Sequence, residues 1–426
     1  SRSGREVSGL ADPILSGRVD VLGDYVMMIH DNSEINELPS SQNIIDRVSS
    51  SQLTYKDFVE SYMNQNKPVI ITNIIDSNEE NNWRVRSDDW LDPTKTRPNI
   101  KHIQKLFGDE LVSVHEQEKA GFTFARPRPT KMTVTEFCDW WFKHHHEEEI
   151  VDENNKQLHS LLPPKILYLK DWKFLANFPS YPLYQCPFYF QNDWLNQYMN
   201  GAYKFVYLGP QGSCTRLHAD VLGSYSWSTN ICGQKRWYMI PPSYTYLLYD
   251  CFGHRLASHL HQDLDEGGRS SSTFYPGLKV ARMHAIEVIQ EATETIFVPS
   301  GWHHTVENME PTLSVNHNWI NETNISWSWQ KVKREIDALC NDAAFRKSNE
   351  DGEEYNLCSS NNKDDSCSQV EDDLYLLWII VSKKAMDTLP LLPHDNSNRK
   401  EESFPSIFRS IIPVLKGIQC LTNTEM

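Results

Sequence analysis

Residues 203–319 leave this chain the fewest choices of fold. The runs YKFVYLGP, TRLHADV, SYSWSTNICG, QKRWYMIPP, TIFVPSGWHHTVEN and TLSVNHNWI follow one another there. Each is short, rich in β-branched and aromatic residues, and bounded by Gly, Pro or Asn. Such residues suit a pleated, half-buried surface, and such punctuation makes turns. Many short strands joined by turns build a sandwich or barrel. The expectation is a mainly β domain with flanking helices, of jelly-roll type. The polar, Gly- and Ser-rich residues 251–275 break the pattern and read as a loop.

The flanks read differently. Residues 1–50 are polar and weakly periodic, which predicts a partly flexible N-terminal segment. From Leu53, LTYKDFVESYMNQNKPVIITNII reads as a helix and then a buried strand. Thr54 and Asp57 suit the helix start, and Pro68 ends it. NIKHIQKLFGDELVSVHEQ repeats the plan, with a stop at Gly108. Thr133 and Glu136 form a capping-box pattern that opens a third helix. Past Trp319, the residues Trp329, Val332, Ile336 and Leu339 fall near a helical period. Residues 347–373 are acidic and Ser/Asn-rich, which predicts disorder, and 374–386 and 404–415 read as helices that pack back or dimerise. The boundaries are therefore 1–50, a catalytic-type domain over 51–325, and a helical region over 326–426 interrupted by the acidic loop 347–373.

Charge and cysteine usage exclude several classes. The net charge of −16 argues against a nucleic-acid partner, because duplex binding needs a basic face. It leaves a basic protein substrate open. The nine cysteines include no CxxC pair, so neither a zinc finger nor a thioredoxin-like site is indicated, and a reducing compartment fits. That predicts a cytoplasmic or nuclear protein. The most apolar stretch, 374–381, falls far short of the roughly 20 residues that span a bilayer. The chain opens on Ser rather than Met, so targeting is not read from its start. The thirteen tryptophans read first as packing.

His218-Ala-Asp220 is the candidate site. In a strand, residues i and i+2 share a face, so His218 and Asp220 can offer a nitrogen and an oxygen to one ion. Chance produces His-x-Asp often, and His261-Gln-Asp263 is a second copy. That copy sits in a polar loop and is set aside. The first has company in TIFVPSGWHHTVEN, a later strand with a third imidazole. Parity selects His304, since Trp302, His304 and Val306 share a face and His303 points away. Two histidines and one carboxylate form a facial triad, which leaves the opposite face of an octahedral iron open. His144–His146 with Glu147–Glu149 reads as a solvated helix end, because adjacent helical side chains diverge. His303 and His317 read as exposed residues without a role.

The string GPQGSCTRLHADVLGSYSWSTNICGQKRWYMIPP, followed by IFVPSGWHHTVENMEPTLSVNHNW, resembles a JmjC (jumonji C) domain of the small hydroxylase type. NKPVIITNII, YLKDW and FQNDWLN fit the N-terminal part of such domains. The resemblance implies a double-stranded β-helix, cupin-like and of jelly-roll form. It implies Fe(II) held by His218, Asp220 and His304, with 2-oxoglutarate as co-substrate and dioxygen as oxidant. Lys235, in GQKRW, matches the lysine that pairs with the distal carboxylate of 2-oxoglutarate. Thr215 matches a hydroxyl on the same carboxylate, and Asn316 and Asn318 match polar positions at the co-substrate end. Ser228 stands where some relatives carry an asparagine that contacts 2-oxoglutarate. A dianion in a narrow barrel needs a buried cation, which a strand lysine supplies as a point charge.

The activity implied is oxidative decarboxylation of 2-oxoglutarate to succinate, coupled to hydroxylation of a C–H bond. The expected substrate is a protein, a lysine of eukaryotic release factor one, which would touch translation termination. Two other readings use the same domain: a histone N-methyl-lysine demethylase, and a binding module without catalysis.

Overall fold

The computed structural model describes residues 44–75, 83, 85, 90–118, 129–145, 165–253, 255–261, 271–336 and 363–388. Among the described residues, thirteen strands form two sheets. The larger has nine strands, in the order β1 (Asp46–Ser49), β2 (Val69–Thr72), β11 (Thr295–Val298), β8 (Tyr225–Cys232), β13 (Thr312–Trp319), β6 (Lys204–Gly209), β5 (Lys165–Trp172), β3 (Leu111–Glu118) and β4 (Thr130–Thr133). The smaller has four, in the order β10 (Ile286–Gln290), β9 (Lys235–Ile240), β12 (His303–Asn308) and β7 (Cys214–His218). All pairs are antiparallel except β1 with β2. The jelly roll expected from 203–319 is present. Its first and last members extend outside that stretch, because β1 and β2 complete one edge and β5, β3 and β4 the other.

Apolar side chains between the sheets come from both, with Ile70, Ile296 and Val298 meeting Trp237, Met239, Val288, Trp302 and Val306. The largest aromatic cluster lies elsewhere, on the opposite face of the large sheet. There Phe58, Trp90, Phe107, Phe137, Trp172, Trp227 and Trp319 pack helices onto the strands. Trp83, Trp90, Trp227 and Trp319 in this cluster are fully buried, so these tryptophans are packing. Keeping them on that face leaves room in the barrel for polar side chains.

Local chemistry sets the helices. Helix α1 (Tyr55–Phe58) is capped by Thr54, whose hydroxyl accepts from the Asp57 amide at 3.1 Å. It runs on as a wider turn over Val59–Met63 before Pro68. Helix α2 (Ile100–Phe107) ends at Gly108 as expected, and Gly108 keeps a right-handed φ of −53°. Its lack of a side chain answers crowding. An added Cβ would lie 2.5 Å from Thr135 Oγ1 and 2.6 Å from the Gln104 carbonyl. Helix α3 (Val134–His145) opens on the reciprocal box, with Glu136 N–H to Thr133 Oγ1 at 3.1 Å and Thr133 N–H to Glu136 Oε2 at 2.7 Å.

At the C-terminal side, helix α4 spans 325–336 within the described residues. Helix α5 (Lys363–Thr388) begins inside the segment expected to be disordered, so that expectation fails over 363–373. The acidic residues lead into an apolar stripe whose Leu377, Ile380 and Val381 bury against Trp194, Leu195, Leu222, Ile320, Ile325 and Val332. Docking supplies the helix stability that local composition does not. Residues 347–362 and 404–415 lie outside the described residues. Asn321 and Asn324, each heading a Asn-x-Ser/Thr tripeptide, are buried and hold the turn before α4.

Candidate metal centre and anion pocket

The two imidazoles come from paired strands of the small sheet. His304 on β12 is the Cα partner of His218 at the end of β7, and their ring centroids lie 4.3 Å apart. Each Nδ1 sits against a carbonyl of its own strand, His218 on Arg216 at 2.8 Å and His304 on Trp302 at 3.0 Å. A carbonyl only accepts, so Nδ1 carries the proton and Nε2 keeps the lone pair that a metal needs. Burial, then the neighbouring His304, pulls His218 down to about 3, so its imidazole is neutral at physiological pH.

The carboxylate is held from the other sheet. Asp220 lies just past the end of β7, in extended conformation (φ −61°, ψ 147°), so the alternation read from the sequence survives although the strand has stopped. Ser226 Oγ donates to its Oδ2 at 2.7 Å and Asn318 Nδ2 to its Oδ1 at 2.9 Å. Ser226 and Asn318 are cross-strand partners on β8 and β13. The following turn is anchored by Leu222, which is fully buried with a left-handed φ of 56°. Gly223 (φ 58°) lets that turn approach Trp327, whose carbonyl oxygen would lie 3.3 Å from an added Cβ.

One ligand atom from each of His218, Asp220 and His304 lies within 4.8 Å of the others, and among the described residues no other such group occurs. Two neutral imidazole nitrogens and a carboxylate oxygen on one side of a cavity suit a divalent first-row transition metal with open positions. His303 is also brought close in sequence, but its ring turns to Thr245, 3.3 Å away. The expectation that His303 and His317 are exposed is wrong: both are buried, His317 completely, with its Nε2 2.5 Å from the Tyr184 hydroxyl and its ring over Trp227. Each occupies the face opposite the pocket. His261, from the second His-x-Asp, packs its ring against Tyr238, and Asp263 lies outside the described residues, as do His146 and Glu147–Glu149.

A second constellation lies in the same barrel. Lys235 is 2% exposed and donates to Ser314 Oγ at 2.6 Å. Burial, then the charge of Lys170, brings its pKa to about 7. Its ammonium is 5.9 Å from the ring of Tyr207, which neighbours Tyr168. The Tyr168 hydroxyl bonds Thr215 and Asn308. Thr215 and His218 are three residues apart and would face opposite ways on a regular strand. They share a face because the β12–β7 pairing shifts between His304 and Val306, a bulge that adds a residue on β7.

The asparagines divide. Asn318 does not line the co-substrate end expected for it, because its amide is committed to Asp220 and to Ser224 Oγ. Asn316, two residues back on the same face, has no hydrogen-bond partner among the described residues. It is the cross-strand partner of Ser228, so an amide stands beside the serine at that level. Sequence reasoning missed Ser226, Ser314, Tyr168 and Tyr207. The signal for the two serines was present: Ser226, Ser228 and Asn230 alternate along β8, and Ser314, Asn316 and Asn318 along β13. They are cross-strand partners, pair by pair. Polar period-two stripes on neighbouring buried strands mark a barrel lined for a polar ligand.

Residues 55–325 match the family model described as a cupin-like domain. The chain is 35% identical over 310 residues to the zebrafish (Danio rerio) "2-oxoglutarate and iron-dependent oxygenase JMJD4", covering 72% of this chain and 67% of that protein. It is 34% identical over 335 residues to the Drosophila melanogaster homolog of the same name, covering 75% and 74%. It is 37% identical over 304 residues to the Arabidopsis thaliana "Arginine-specific demethylase JMJ20", covering 67% of this chain but 59% of that protein.

Proposed function

The chain belongs to the cupin-like family of 2-oxoglutarate- and iron-dependent oxygenases, of the JMJD4 kind, and from that premise we propose that it hydroxylates a protein lysine. The target of this reading is a lysine of eukaryotic release factor one, in the cytoplasm, with an effect on translation termination. The observation that carries the chemistry is one barrel holding both the His218–Asp220–His304 cluster and the buried Lys235. The net charge of −16 favours a basic protein segment as substrate.

In this reading His218, His304 and Asp220 hold iron(II), and Ser226 and Asn318 keep the carboxylate aimed. Lys235, Thr215 and Asn316 hold 2-oxoglutarate, with Ser314 orienting the ammonium. Bound iron(II) and 2-oxoglutarate would activate dioxygen, the oxidant: one oxygen atom would enter the succinate formed as 2-oxoglutarate loses carbon dioxide, and the other the substrate C–H bond. The apolar wall of Trp237, Met239, Trp302 and Val306 keeps bulk water from that reaction.

The Arabidopsis relative's name favours a second reading, removal of a methyl group from arginine. Mass spectrometry separates the two. Incubation of release factor and of methylated peptides with iron(II), ascorbate and 2-oxoglutarate should add one oxygen to a lysine. Loss of a methyl group instead would favour demethylation of arginine, or of histone N-methyl-lysine. Absence of succinate with every substrate would leave a binding module without catalysis. Among the described residues no helix is long and apolar enough to cross a membrane.

A further inference from the structure

Asn318 aims the carboxylate of the metal centre, and Asn318 is itself held from outside the barrel. Its side-chain amide donates to Asp220 Oδ1 at 2.9 Å. The pairing of β13 with β6 ends at His317 and Lys204, one residue short of Asn318. Beyond that point other groups take the place of the neighbouring strand. The Asn318 N–H donates to the Tyr203 carbonyl at 3.1 Å, and the Asn318 carbonyl accepts from Asn196 Nδ2 at 2.8 Å.

Asn196 lies in the short helix Trp194–Tyr198 and is 5% exposed. Its amide is engaged at both ends. Nδ2 also donates to Asp193 Oδ2 at 2.6 Å, and Oδ1 accepts from the Tyr203 N–H at 3.0 Å. Turning the amide over would set its oxygen against the Asp193 carboxylate and the Asn318 carbonyl, so its orientation is fixed. The helix beneath it is anchored too. The Trp194 N–H donates to the Ile320 carbonyl at 2.9 Å, and the Tyr198 hydroxyl donates to Asp387 of α5 at 2.5 Å. Trp194 and Leu195 share one buried apolar cluster with Leu377, Ile380 and Val381 of α5. Leu222, two residues past Asp220, belongs to the same cluster.

We propose that Asn196 is a positioning residue for the metal centre, acting through Asn318 on the Asp220 carboxylate. This role rests on His218, Asp220 and His304 being an iron site. Without the Asn196 amide, the Asn318 carbonyl loses its donor at the point where the strand pairing has stopped. The peptide can then shift, and the amide that grips Asp220 shifts with it. Partners beyond the ligands of a metal set its affinity by orienting those ligands. Through the same helix, α5 reaches the metal centre from the far end of the sequence.

Titration of the full chain with manganese(II), followed by the electron paramagnetic resonance of the free ion, tests this. Asn196→Ala should weaken binding about tenfold. It keeps the helix cap, because the backbone N–H of residue 196 makes that bond to Asp193 Oδ1 at 2.9 Å. In an Asn318→Ala background the same change should alter affinity by less than about twofold, since the link it acts through is gone. Ile103→Ala, in the buried face of α2, should lower stability in urea and keep manganese(II) affinity within about twofold. Wild-type affinity in Asn196→Ala, or an equal loss in both backgrounds, would overturn the role. A matching loss in Ile103→Ala would overturn it too, because loosened packing alone would then explain the effect. Failure of the wild-type protein to bind manganese(II), or binding unchanged by His304→Ala, would instead sink the iron-site reading. Far-ultraviolet circular dichroism matched to wild type guards against misfolding, and Asn196→Ser carries the same cycle if the alanine variant does not fold.

Discussion

Replacing Lys235 by Met should cost the protein its co-substrate and make the ligand-free fold more stable. Lys235 is 2% exposed, and among the described residues its ammonium has one hydrogen bond, to Ser314. Its pKa falls from 10.5 to about 7 through burial, with Lys170 adding to the effect. At ~1.4 kcal/mol per pH unit, that gap means about 5 kcal/mol against the charged form in the empty pocket. The folded pKa lies below the unfolded one, so between them the unfolded chain binds more protons and stability rises with pH. The penalty is therefore full below pH 7 and fades toward pH 10.5. Methionine fills a similar volume without charge but leaves the Ser314 hydroxyl unpaired, which returns about 1–2 kcal/mol. About 3 kcal/mol of net stabilisation remains at pH 6, on the order of 5 °C in Tm for a domain of this size. Thermal unfolding of metal-free Lys235→Met and wild type at pH 6, 8 and 10 measures it. A lower Tm for the variant at pH 6, or a difference that ignores pH, would refute the buried-charge reasoning.

Co-substrate binding should also move protons. A dianion beside Lys235 raises its pKa, so binding above pH 7 takes up a proton, and the calorimetric enthalpy at pH 8 should depend on the buffer's ionisation heat; equal enthalpies in phosphate and Tris would contradict this. Asn318→Ala leaves Asp220 with the Ser226 bond alone and should weaken manganese(II) binding by about 10–100-fold, read by titration, whereas a change under twofold would mean Asn318 does not aim the carboxylate. His304→Ala should abolish metal binding and turnover while His303→Ala keeps both; equal losses would undo the parity assignment. Ile380→Ala, at the buried seam of α5, should destabilise the domain by about 2–4 kcal/mol in urea unfolding if that helix belongs to the cooperative fold.

Much of the centre was legible because strand geometry is strict. Alternation alone places Ala219 away from the metal and prefers His304 to His303. The same rule misplaced nothing in the triad, yet it cannot reach Thr215, which faces the pocket only through a bulge created by pairing with β12. Asn318 illustrates a different gap. Its face was readable, but whether an inward amide meets a ligand or the Asp220 carboxylate depends on a residue distant in sequence. The acidic residues 363–373 were read as disordered because their composition lacks an apolar face, while the helix they start is fixed by Leu377, Ile380 and Val381 docking on another part of the chain.

The sequence by itself determined a β sandwich, a two-histidine, one-carboxylate cluster and a lysine destined for the same barrel. These follow from period-two patterning and turn residues, which act over a few neighbours. Only the tertiary structure decided how the two sheets share the work. The small sheet carries both imidazoles, and the large sheet grips the carboxylate through Ser226 and Asn318. It also decided that the Lys235 ammonium meets Ser314, because a side chain 79 residues away that sheet packing brings alongside has no signature in local sequence.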